Sequence, residues 1–154
     1  MPKLFVDKTI EIDAPPFGVW DVLTATKYTR LWAPEFYGGA PFCIESEWRI
    51  GAPVVWKDDH DQIIVEGNVT RLEPEKILRF TVFDARTPKR PMVTAEDGIT
   101  FELARRESGT LLHLRQGDFS SMPEAEKYWQ ISDQAWDRTL PRIKRLAEES
   151  VKEL

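Results

Sequence analysis

Apolar and polar residues alternate every second position along most of the chain, then switch to a spacing of three and four near its C-terminal end. The segment Leu4–Ile12 sets Val6, Lys8, Ile10 and Ile12 on one face and Asp7, Thr9 and Glu11 on the other, which predicts a half-buried strand. Asp13-Ala14-Pro15-Pro16 follows. Aspartate caps helices and proline fits a helix's first turn, so Val19, Trp20, Val22 and Leu23 form the apolar face of a short helix. After a break at Thr24 to Thr29, the residues Tyr28, Leu31 and Trp32 predict a second short helix that Pro34 ends. Glu35–Pro41, with Gly38-Gly39, reads as a loop.

From Phe42 the period is two. Phe42, Ile44, Ser46 and Trp48 alternate with Cys43, Glu45, Glu47 and Arg49, and Gly51 permits a tight turn. Val54–Lys57 is the next strand, and Asp58-Asp59-His60-Asp61 is a polar hairpin tip. Gln62–Leu72, Ile77–Asp84, Val93–Arg105 and Thr110–Phe119 continue the series, separated by turns at Glu73–Lys76, Arg86–Pro91 and Ser108-Gly109. Successive strands with short polar connections predict an antiparallel meander. With the first strand the sheet has about seven, enough to curl, and Gly67 and Gly98 are candidate bend points.

Past Ser120 the period changes. Ser121-Met122-Pro123-Glu124 resembles a capping box, and Ala125, Trp129, Trp136, Leu140, Ile143 and Ala147 recur at helical spacing. Pro141 removes one backbone hydrogen bond, which predicts a kink near Asp137–Pro141. The tail Glu148–Leu154 is expected to fray. The whole is an α+β chain: a curved antiparallel sheet around one long C-terminal helix, forming a single domain over residues 1–154.

Composition adds limits. The six Trp and eight Phe build a core of large flat side chains. A net charge of −5 argues against nucleic acid and anionic membrane surfaces, which attract positive fields. Arg86, Lys89 and Arg90, and Arg105 with Arg106, read as solvated turns. Cys43 is the only cysteine, so no internal disulfide forms, in keeping with a cytoplasmic location. It reads as a small buried apolar residue. The N-terminal nine residues resemble no signal peptide, and no apolar run has membrane-spanning length.

The order strand, two short helices, six strands and a long helix is that of the helix-grip fold. Ile12-Asp13-Ala14-Pro15, Val19–Thr24 and Leu31-Trp32 resemble the activator-of-heat-shock-chaperone-ATPase homologue group of the START-like (SRPBCC) superfamily. So do Gly67-Asn68-Val69 with Pro74, the strand Ile99–Leu103, Gly109-Thr110 with Leu112, Leu114 and Phe119, and Trp136 with Leu140. The resemblance spans nearly the whole chain and implies an apolar cavity between sheet and helix. Relatives bind lipids, hormones and polyketides, and some catalyse cyclisation or hydrolysis. Two positions depart from the group: Ala135 stands where glycine is frequent, and Gln116 where histidine is common. The eukaryotic activators carry a further chaperone-binding domain, for which this chain has no room.

The function expected first is therefore binding of a small hydrophobic molecule, without a cofactor or a metal. The expected pocket wall comprises Trp20, Trp32, Phe36, Phe42, Trp48, Val69, Phe80, Phe101, Leu114, Trp129 and Trp136, with Asp84, Gln116 and Asp133 as polar residues that could orient the ligand. The mouth is expected where the Pro141 kink meets the Gly38-Gly39 loop. His60 and His113 read as surface residues and lack zinc-site spacing. The alternatives are a cyclase or hydrolase using Asp84, Asp133 or Tyr128 as acid or base, and an interaction protein that regulates a chaperone or a stress response. A homodimer through a strand edge or the sheet's outer face is compatible with either.

Overall fold

The structure is a computed structural model in which residues 3–86 and 97–152 are described. The remainder of the expected turn beyond Arg86, and the start of the expected strand at Val93, lie outside the described residues. In chain order the elements are β1 (Val6–Ile12), α1 (Pro16–Thr24), α2 (Thr26–Trp32), a 3-10 turn (Ala33–Phe36), β2 (Cys43–Ser46), β3 (Pro53–Lys57), β4 (Ile63–Glu73), β5 (Ile77–Phe80), β6 (Phe83–Asp84), β7 (Gly98–Arg106), β8 (Gly109–Gly117) and α3 (Ala125–Lys152). The strands run β1-β8-β7-β5-β4-β3-β2 across one antiparallel sheet, with β6 off this path pairing β4. This is the helix-grip arrangement that the alternation and the final change of period predict.

The registers line up one apolar face of the sheet toward the core that α3 closes. Lys8 lies opposite Leu114, Leu114 opposite Phe101 and Phe101 opposite Leu78. Val54 lies opposite Gly67, and Ile44 opposite Trp56. These apolar residues form one core with Val19, Val22 and Leu23 of α1 and Trp136, Leu140 and Ile143 of α3. The outer face is polar: His113 there receives Asp7 from β1 at 2.6 Å.

Two glycines let the sheet fold over at its centre. A Cβ on Gly67 would stand 1.8 Å from the Thr81 carbonyl oxygen, and one on Gly98 would stand 2.2 Å from that of Phe80. Only a residue without a side chain permits such backbone approach. The expected strand Ile77–Asp84 breaks there: β5 pairs β4 and β7, whereas among the described residues β6 pairs β4 alone.

Several boundaries differ from the sequence reading. The strand begun at Phe42 ends at Ser46, because Trp48 has a positive φ of 50° that no strand accommodates. The capping box does not form: Glu124 adopts φ 55°, and Tyr128 donates its N–H to the Glu124 carbonyl, so α3 begins after it. α3 runs unbroken through Pro141 and reaches Lys152, so the tail is helical from Glu148 to Lys152. The hydrogen bond that proline cannot make falls on Asp137, which like Pro141 is exposed, where water can serve its carbonyl. No helix among the described residues is long and apolar enough to cross a membrane.

Candidate ligand-binding site

The space between the inner sheet face and α3 is occupied by a connected series of aromatic rings. Tyr37 stacks on Phe42 at 4.6 Å between centroids, and Phe42 meets Trp56 at 5.6 Å. Trp56 meets Phe36 at 5.7 Å, and Phe36 meets Trp136 at 4.7 Å, both nearly edge to face. From Trp136 the series continues to Phe101 at 5.7 Å, then to Phe80 at 6.4 Å and Trp48 at 5.7 Å. Trp32 joins from α2, 6.3 Å from Trp136. Local structure explains the convergence. Inner positions of β3, β5 and β7 supply Trp56, Phe80 and Phe101, the 3-10 turn supplies Phe36, and one helical position supplies Trp136.

The expected pocket-wall residues separate into three groups. Trp32, Phe36, Phe42, Trp48, Phe80, Phe101 and Trp136 belong to this aromatic series, and Val69 and Leu114 pack in the same core. Trp20 and Trp129 are half-buried at its periphery. Gln116 lies within hydrogen-bond reach of the core, accepting the Trp136 indole N–H at 2.8 Å. The two carboxylates stand elsewhere. Asp84 is displaced by the break after Phe80 and is exposed, where it accepts the Arg86 N–H at 2.9 Å; that bond holds its pKa below the ordinary carboxylate value. Asp133 faces β1 and pairs with Lys8 at 3.0 Å, alongside Asp137 at 2.8 Å. Burial acts to lower the Lys8 pKa, but its bonds to Asp137 and Asp133 outweigh this and raise it above 10.5. Both carboxylates are therefore engaged by cations, and Tyr128 is exposed.

The indole nitrogens show which polar groups this core satisfies. Trp32 Nε1 donates to the Val22 carbonyl, Trp48 Nε1 to that of Thr24 and Trp129 Nε1 to that of Phe5, each at 2.8 Å. Trp56 Nε1 is fully buried and has no partner among the described residues. Native proteins leave few buried donors unpaired, because each costs about 1–3 kcal/mol. Sequence reasoning missed two members of the series, Tyr37, which falls in the expected loop, and Trp56. Trp56 shares the inner face of its short strand with Val54, so alternation pointed to it, but apolar Val55 between them blurred the pattern.

Two surface grooves lie away from these rings. One, of about 680 Å³, runs between the β1–α1 corner and the β7–β8 turn and is lined by Glu11, Asp13, Arg105, Arg106 and Lys144 among others. The other, of about 400 Å³, lies on the outer sheet face near Thr9, Arg71, Lys76, Glu102 and His113. Their charged linings contain none of the expected pocket residues and suit an apolar ligand poorly. Cys43 is buried, and burial raises its thiol pKa, as expected of a packing residue. Among the described residues no group of His, Cys, Asp and Glu is arranged to hold a metal ion.

Comparison with known proteins places this geometry. A search of curated proteins finds no match. A solved protein from Mesorhizobium loti is 20% identical, with a TM-score of 0.68 over 93% of this chain and 97% of its own. A solution structure from Cytophaga hutchinsonii is 21% identical, with a TM-score of 0.68 over 99% of both chains. The structure described as the Aha1 dimer from Colwellia psychrerythraea is 16% identical, with a TM-score of 0.66 over 94% of this chain and 96% of that one. At these identities the likeness is one of fold. The model of the family described as Activator of Hsp90 ATPase homolog 1-like protein matches residues 13–148, and the chain belongs to that family.

Proposed function

We propose that this chain binds a small hydrophobic molecule between the inner sheet face and α3, at the end where the 3-10 turn meets the helix. The connected aromatic series from Tyr37 to Trp48 carries this reading. Ligand sites are predominantly apolar and aromatic with few polar groups. Here Gln116, beside Trp136, and the Trp56 indole are among the few polar groups at the rings. An acid–base role draws little support from Asp84 and Asp133, since each is held by a cation rather than by the core.

Titration with the neutral fluorophore phenylnaphthylamine tests the proposal. Saturable uptake near one equivalent, with energy transfer from Trp and a raised unfolding temperature, is the expected result. Absence of saturable uptake by the folded protein would overturn it.

A second reading, a partner-binding role, is favoured by two likenesses: the family's description as an Hsp90 ATPase activator homologue and a structural neighbour described as a dimer. ATPase stimulation of a purified chaperone and sedimentation of this chain measure it. No stimulation together with a monomeric mass would remove it.

A further inference from the structure

We infer that Phe36 is an internal stand-in for the ligand, and that the molecule replacing it is an aromatic ring bearing a hydrogen-bond acceptor for Trp56 Nε1. The inference rests on the binding reading above and names the ligand class. Phe36 sits among Trp32, Trp56 and Trp136, at 6.5, 5.7 and 4.7 Å between centroids, with interplanar angles of 76°, 85° and 66°. Edge-to-face arrangements of this kind are those an aromatic guest adopts in a box of rings. The three tryptophans come from α2, β3 and α3, which the core holds in place. Phe36 comes from a four-residue 3-10 turn, an element with poor hydrogen-bond geometry.

The Gly38-Gly39 pair just beyond the turn gives it room to swing. Gly38 and Gly39 adopt φ of 63° and 86°, and nothing stands within 4 Å of a Cβ built on either. Arg138 of α3 holds the turn by donating to the Glu35 carboxylate at 3.2 Å and to its carbonyl at 3.4 Å, and the ion pair is open to solvent and weak for that reason. Phe36 itself is only half-buried, whereas Trp32 and Trp136 are fully buried.

The orphaned donor specifies the chemistry. Trp56 meets both Phe36 and Phe42, and its indole N–H meets no acceptor among the described residues. A ring face serves an N–H far less well than a carbonyl does. A guest carrying a ketone or ether oxygen beside its ring would fill the box and pair this donor together. A hydrocarbon would fill the box and leave the donor unpaired.

The test compares acetophenone with ethylbenzene, two rings of similar size that differ in the carbonyl, by NMR titration of the intact protein. In the wild type, the Trp56 Nε1–H resonance is expected to move downfield with acetophenone and to stay near its place with ethylbenzene. The ratio of the two affinities should fall about tenfold in Trp56→Phe. Phe36→Ala, which vacates the box, should tighten both compounds several-fold. A Trp56 resonance that responds equally to both compounds, or a Phe36→Ala protein that binds them no better, overturns this inference and leaves the binding reading standing. Failure of both compounds to bind either wild type or Phe36→Ala overturns the two together. The resonance is read in the wild type, so the outcome does not depend on how Trp56→Phe folds.

Discussion

From Ala135 onward, α3 turns Ala135, Trp136, Thr139, Leu140, Ile143 and Ala147 inward, and all are buried. Over residues 125–134 the same helix buries none of its side chains, and Tyr128 and Ile131 lie exposed. The later half is gripped by α1, where a Cβ on Gly18 would already stand 3.4 Å from Val151. The earlier half touches the molecule mainly through Trp129, whose indole bonds the Phe5 carbonyl. The contrast separates two duties. One half of the helix closes the core, and the other leaves apolar side chains uncovered. Leu140 and Ile143, on either side of Pro141, are both buried.

Substitution along the helix should show this difference at its largest. Ile143→Ala removes a fully buried side chain and is expected to cost about 2–5 kcal/mol. Ile131→Ala, at a position 52% exposed, should stay within about 0.5 kcal/mol. Urea unfolding followed by circular dichroism measures both. Comparable losses at the two positions would break the comparison.

Gln116 marks the boundary between the halves, because it serves Trp136, where burial begins. Gln116→Leu leaves the Trp136 N–H buried without an acceptor and is expected to cost about 1–3 kcal/mol. Adding Trp136→Phe removes the orphaned donor, so the double variant should lose less than the sum of the single changes. Strict additivity in that cycle would show that the bond contributes nothing of its own.

Much of this architecture was legible because it is local. Strand alternation in β1, β7 and β8 placed Lys8, Phe101 and Gln116 on the inner face correctly, and helical spacing did the same for Trp136 and Leu140. What escaped depends on partners distant in sequence. Leu78, Phe80, Val82 and Asp84 alternate without interruption in the sequence. The chain nevertheless breaks after Phe80, where Gly67 of β4 and Gly98 of β7 draw close to it. Asp84 left the inner face for that reason. Asp133 was placed on a plausible helical face, but its pairing with Lys8 is a contact across the domain that no spacing reveals. The orphaned Trp56 N–H is invisible in the same way, since absence of a partner is a property of packing.

Glu148 fastens the gripped half to the start of the domain. It accepts the Asp13 N–H at 2.8 Å and the Lys144 ammonium at 2.6 Å. Burial acts to raise its pKa, but Lys144 and the Asp13 N–H outweigh this and hold it below 4.5. A carboxylate depressed in the folded state stabilises above its unfolded pKa, and that contribution is lost as pH falls through the folded value. Glu148→Gln should therefore cost about 1 kcal/mol at neutral pH and less as the solution is acidified below about 4.5. Thermal unfolding across that range reads the convergence, and a gap between the proteins that persists at the acid end would count against the linkage.

The smallest effect is expected where the open half meets β1. Lys8 bridges to Asp133 and Asp137, and its pKa is raised, so the sign is opposite to that of Glu148. Its stabilisation is complete below 10.5 and is lost as pH rises through the higher folded value. Asp137 is largely exposed, which screens the pair and keeps the cost of Lys8→Met near ~0.5 kcal/mol at neutral pH. Because Asp133 stands on the lightly held part of α3 and Asp137 just past its end, the loss should appear more in local opening than in global stability. Hydrogen exchange of the amides at 129–134 is expected to speed up in Lys8→Met while exchange at 139–147 stays unchanged. Equal acceleration along both stretches would mean that the helix opens as one unit and that its two halves differ in burial alone.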